Sequence, residues 1–113
     1  MSYTNSCVCE EQFTNNCAHY LSNWMINKNV LSKNPAGTYC CKKGRPIRAK
    51  EMRKVFENLG LTKSFNPPSK YCYIYCENNK NHRGHVYYGT KSSCVAGTGS
   101  ADNFGMDYVE YYS

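Results

Sequence analysis

From Cys17 onward the apolar positions follow a helical spacing, with Ala18, Leu21 and Met25 recurring at intervals of three and four between polar residues. This predicts an amphipathic helix from Cys17 to Asn27 or Lys28, closed by Asn29, a residue type that tolerates the left-handed conformation of a helix end. Thr14, Asn15 and Asn16 precede it, and their side chains can accept from the free amides of a first turn. Trp24 falls off the stripe and is expected to make a second core contact or to flank a cleft. A second helix should follow Arg45-Pro46. It would carry Ala49, Met52, Phe56 and Leu59 on one face and Lys50, Arg53, Lys54 and Glu57 on the other, and end at Gly60.

After Pro67-Pro68 the pattern changes to that of strands. Residues 70–77 contain Tyr71-Cys72-Tyr73-Ile74-Tyr75-Cys76, rich in strand formers and expected to form a central strand. The polar turn Asn78 to Arg83 leads into a second strand, Gly84-His85-Val86-Tyr87-Tyr88-Gly89, so the two should make a hairpin. Residues 90–105 are rich in Gly and Ser and read as loop, and Met106 to Tyr112 supplies a last strand. Lys33 to Gly44, with Asn-Pro and Ala-Gly steps, also reads as loop. The first 13 residues read as an extended arm, and there is no internal repeat. The pattern implies a single α+β domain over residues 1–113, with an N-terminal helix packed on a small antiparallel sheet.

Composition adds a compartment and a charge. Eight cysteines among 113 residues, with a mean hydropathy of -0.70, point to a disulfide-stapled chain in an oxidising, extracellular location. Cys7 and Cys9 are too close to bridge each other comfortably, and the adjacent Cys40 and Cys41 should point to opposite sides. Cys72 and Cys76 share a strand face about 13 Å apart and are likewise expected to have other partners. Cys72 and Cys76 with His82 are a poor match to a zinc motif, so no metal and no cofactor is expected. No segment approaches the ~20 apolar residues of a membrane span, and no apolar leader opens the chain, so any signal peptide is expected to have been removed. The net charge of +6 suits a polyanionic surface, with Arg45, Arg48, Lys50, Arg53 and Lys54 as the basic flank of the second helix. No nucleic-acid-reading motif is present.

The candidate chemistry begins at Cys17. A cysteine in the first helical turn meets unpaired backbone amides and the positive end of the helix dipole, which favour thiolate over thiol. In a cysteine-rich chain the ordinary fate of such a residue is a disulfide, so a nucleophile needs a base as well. His19 lies only two positions along the same helix, where side chains diverge, and His82 sits in a polar turn. His85 opens a strand directly after Gly84, which leaves room for a substrate backbone, and a strand holds a base rigidly.

Asn16-Cys17-Ala18-His19-Tyr20-Leu21-Ser22 and Arg83-Gly84-His85-Val86, with Arg45 to Arg53 between them, resemble the NlpC/P60-like cysteine amidases of papain-like fold. They are most similar to the second family of type VI secretion amidase effectors and to the domesticated amidase effectors of ticks and mites. The resemblance covers residues 13–90 and implies a secreted, antibacterial peptidoglycan hydrolase that cuts amide bonds of stem peptides or cross-links. Cys17 carries over as nucleophile and His85 as general base and acid, with the Cys17 amide as oxyanion donor. The third, orienting member is expected at Asp102, with Asn103 and Asp107 behind it. A monomer is expected, with peptidoglycan as the partner and neither nucleic acid nor membrane insertion involved. Two other classes fit the composition: a non-catalytic, cationic, disulfide-rich protein that binds microbial surfaces, and a protease inhibitor or receptor-binding toxin on the same scaffold.

Overall fold

The computed structural model describes Cys9 and residues 16–113. The rest of the expected arm over 1–13, Cys7 included, and the expected caps Thr14 and Asn15 lie outside the described residues.

Helix α1 (Cys17–Asn27) buries Ala18, Leu21 and Met25, the stripe seen in the sequence. Its end is closed as the sequence suggests: Asn29 has φ +62°. The Asn29 amide donates to Ile26 O and the Val30 amide to Met25 O, the paired bonds that satisfy last-turn carbonyls. The start differs from expectation. Asn16 is the residue before the helix, but its side chain does not cap the free amides; its Oδ1 lies 3.4 Å from His19 Nδ1 instead.

Helix α2 (Ala49–Asn58) buries Met52, Val55 and Phe56. Leu59, expected on the core face, lies just past the helix end and is 39% exposed. The left-handed Gly60 (φ +86°) turns the chain there, and the Leu61 amide reaches back to Phe56 O, so Leu61 packs against the core in its place. Arg45 is a second correction. Rather than belonging to the basic flank it is buried, donating from Nε to Asn23 Oδ1 and from Nη1 to Lys43 O. A guanidinium satisfied in this way fastens the loop before α2 to the side of α1.

The sheet is antiparallel and five-stranded, in the order β1 (Lys63–Ser64), β5 (Tyr108–Tyr112), β2 (Cys72–Glu77), β3 (Gly84–Gly89), β4 (Cys94–Ala96). The predicted hairpin is β2 and β3, in register from Cys72 opposite Gly89 to Glu77 opposite Gly84, and β2 is central. Strands β1 and β4 are too short to leave an alternation in the sequence.

Alternation along the strands gives the sheet two different faces. Tyr75, Val86, Ala96 and Tyr112 pack with α1 and α2, and Tyr73 and Tyr88 pad that cluster. Cys72, Ile74, Cys76, Tyr87 and Tyr111 face the other way. That second face is covered by the Gly/Ser-rich segment, which folds under the sheet through Ala101, a 3-10 turn at Asp102–Phe104 and Met106. Among the described residues no disulfide joins two cysteines, and no helix is long and apolar enough to cross a membrane.

Candidate functional site

Cys17 is the first residue of α1 and is 1% exposed, within the cluster that includes Leu21, Val86 and Ala96. It lies close enough to Cys76 to act on it electrostatically: burial pushes the Cys76 thiol up to about 12, and Cys17 adds to the rise. Cys76 is the direct cross-strand partner of His85.

A cavity of about 610 Å³ opens where α1 begins and β3 begins. Asn16 and Tyr20 line it on the helix side, Gly84 and His85 on the strand side, and Thr98 and Phe104 from the covering segment. The start of α1 and the start of β3, far apart in sequence, are therefore two walls of one space. By strand alternation the His85 ring belongs to the Tyr87 side of the sheet, its centroid 5.4 Å from that of Tyr87 and 4.7 Å from that of Phe104. Cys17 belongs to the helix side. Strand β4 joins only Tyr88 and Gly89 of β3, so the His85 end of β3 is left open on that edge.

His85 is held by a single strong contact, with Nε2 2.7 Å from Gly99 O. A carbonyl oxygen can only accept, so Nε2 carries the hydrogen and the neutral ring presents its lone pair on Nδ1. Burial lowers the ring's pKa from its ordinary value, and the Gly99 bond opposes that only in part. The imidazole is thus neutral at pH 7, oriented, and basic on the nitrogen away from Gly99. Gly99 itself has φ +151°, and a Cβ there would lie 2.7 Å from Phe104. Only glycine brings its carbonyl under the histidine without displacing Phe104.

The carboxylate expected in the orienting role is elsewhere. Asp102 Oδ1 lies 3.4 Å from Lys91 Nζ, and the Asp102 amide donates to Lys91 O, so Asp102 ties the 3-10 turn to the loop before β4. Asn103 Oδ1 accepts from Ser100 N and Oγ, and Asp107 Oδ1 accepts from Asn79 N. The position next to Nε2 is filled by the Gly99 carbonyl, which no side-chain pattern in the sequence announces. Tyr87 supports that segment. Its hydroxyl accepts from Ala101 N at 3.0 Å and donates to Thr90 O at 2.5 Å.

Gly84 also has a different reason for being glycine than room for substrate. An added Cβ would lie 2.9 Å from the Tyr75 hydroxyl and 3.1 Å from its ring, so the Tyr75 side chain occupies that space. Of the remaining histidines, His82 is exposed in the hairpin turn with φ +57°. His19 is buried, with Nε2 3.3 Å from Cys9 Sγ. Cys72 and Cys76 keep their thiols near the carbonyls of Gly89 and His85, and among the described residues they do not cluster with His82 as metal donors.

Two residues were given no role of their own in the sequence reading. Arg83 lines the cavity, and among the described residues no acid pairs with it. Glu110 is 1% exposed on the helix side of the sheet, where it accepts from Tyr112 and Tyr108 hydroxyls with Arg53 4.0 Å away. Buried acids of this kind, satisfied by hydroxyls and a nearby guanidinium, belong to the packing of the core.

No protein-family model, curated protein or solved structure matches this chain.

Proposed function

We propose that this chain is a cysteine amidase of the NlpC/P60-like, papain-related type, secreted and disulfide-stapled, which hydrolyses amide bonds in the stem peptides or cross-links of bacterial peptidoglycan. Cys17 is the nucleophile, and His85 is general base and acid. The observation that carries the reading is the shared cavity. The start of α1 and a neutral, oriented imidazole form facing walls of one space of a size that admits a short peptide.

The steps balance on these groups. Nδ1 of His85 takes the Cys17 thiol proton as sulfur attacks the amide carbonyl, and the oxyanion develops at the positive end of α1. The C–N bond then breaks, and His85 returns the proton to the leaving amine. Water, deprotonated by the same nitrogen, hydrolyses the thioester and restores the thiol. The Gly99 carbonyl plays the part that a carboxylate or amide plays in a triad, holding the tautomer. Arg83 at the cavity wall suits a substrate whose stem peptides carry carboxylates. Cys17 is buried directly after Asn16, which lines this cavity, and in this reading substrate approaches it from there.

The test is digestion of purified sacculi, followed by mass spectrometry of the released muropeptides. Wild type should release amide-cleaved products, and Cys17→Ala and His85→Ala should release none above background. Equal release by wild type and Cys17→Ala would overturn the catalytic reading. Antibacterial activity that survives both substitutions but disappears at high salt would favour a cationic surface binder.

A further inference from the structure

We propose that Cys9, His19 and Cys41 form a binding site for a thiophilic divalent cation, with Zn²⁺ as the expected occupant. The site adjoins the cavity through Asn16, but its metal chemistry does not depend on the reaction proposed above.

The three donor atoms lie within 4.8 Å of one another, and all three residues are buried. Cys9 Sγ is 3.3 Å from His19 Nε2. A tetrahedral zinc with bonds of about 2.3 Å to sulfur and about 2.0 Å to nitrogen needs donors roughly 3.5 to 3.8 Å apart, so small side-chain adjustments would close the set on a metal. Two sulfurs and an imidazole select zinc-like ions over calcium or magnesium, which prefer oxygen donors. Two thiolates would also neutralise the divalent charge where little water reaches it.

A second observation points to a ligand. Asn16 Oδ1 lies 3.4 Å from His19 Nδ1. If that amide oxygen accepts, the ring hydrogen sits on Nδ1 and the lone pair of Nε2 points at the two sulfurs. Metal-binding histidines are prepared in this way, with the far nitrogen donating to an oxygen that fixes ring and tautomer. It also accounts for the helix start, where Asn16 leaves the first-turn amides uncapped in order to hold His19. The donors come from three segments: Cys9 ahead of α1, the first turn of α1, and the loop whose Cys41 amide donates to Arg45 O. A bound metal would therefore clamp those segments together beside Ile47.

The same two sulfurs could instead be oxidised to a disulfide, releasing two protons and passing two electrons to a thiol oxidase. The experiment separates these fates. The full chain is produced with zinc in the medium, purified without chelator or reductant, and analysed for metal by mass spectrometry. A cobalt-substituted sample is examined for the thiolate-to-metal absorption and the visible bands of a tetrahedral site. One metal per chain is expected, lost in Cys41→Ser and retained in the neighbouring Cys40→Ser. Because Cys41 is buried and its loss can also impair folding, Asn16→Ala serves as a second variant. It should fold and lose roughly 10- to 100-fold in zinc affinity by chelator competition, the usual effect of removing a histidine's orienting partner. Metal-free protein, a peptide map joining Cys9 to Cys41, metal retained in Cys41→Ser, or unchanged affinity in Asn16→Ala would each overturn the proposal.

Discussion

Replacing Tyr87 by Phe tests how the cover over the second sheet face holds His85. The ring is kept, so no cavity opens, but two hydrogen bonds go. Ala101 is fully buried, and its amide loses the hydroxyl 3.0 Å away. An orphaned buried donor costs about 1–3 kcal/mol. Thr90 is only partly buried, so losing the bond to its carbonyl adds only about 0.5 kcal/mol. The total, about 1.5–3.5 kcal/mol, corresponds to a fall in Tm of roughly 5–17 °C for a domain of this size. Thermal unfolding followed by circular dichroism reads it, with Tyr39→Phe as a surface control, since Tyr39 is 58% exposed. The same substitution loosens the segment that carries Gly99 O, so muropeptide release should fall more than the folded fraction does. A Tm within about 2 °C of wild type would refute the reasoning, because water would then be replacing the hydroxyl at no cost.

Gly84→Ala should destabilise the chain by about 1–3 kcal/mol in urea unfolding, since the new methyl meets a buried Tyr75 that cannot swing away. The double variant with Tyr75→Phe should recover part of that loss, and no recovery would mean the contact is not the cause. His85 makes stability depend on pH in a definite direction. Its folded-state pKa lies below the unfolded value of about 6.5, so the unfolded chain takes the proton first as pH falls. Its contribution is therefore full above that value and is lost as pH falls through the folded pKa. Wild type should lose more stability than His85→Gln between pH 7.5 and pH 5, and equal losses would contradict the burial of a neutral ring.

Much of the architecture was legible because it rests on local periodicity. The Ala18, Leu21, Met25 stripe, the Asn29 and Gly60 stops and the Cys72–Glu77 and Gly84–Gly89 hairpin all follow from short-range pattern. The sequence missed what depends on tertiary placement. Strands of two and three residues carry no alternation, and a Gly/Ser-rich segment gives no hint that it will cover a sheet face. Arg45 looked like a surface charge until Asn23 and Lys43 satisfied it inside. At the site, Cys17 and His85 could be singled out by residue type and neighbourhood. The group beside His85 could not, because a backbone carbonyl leaves no letter in the sequence, whereas Asp102 looked suitable and is occupied with Lys91.

The most direct test of Cys17 as nucleophile is to catch the thioester. Protein mixed with soluble muropeptides, quenched in acid within the first turnovers and digested for peptide mapping, should carry a stem-peptide acyl group on the fragment containing Cys17, absent from His85→Ala. Cleaved products without that adduct, or an adduct on another cysteine, would contradict it.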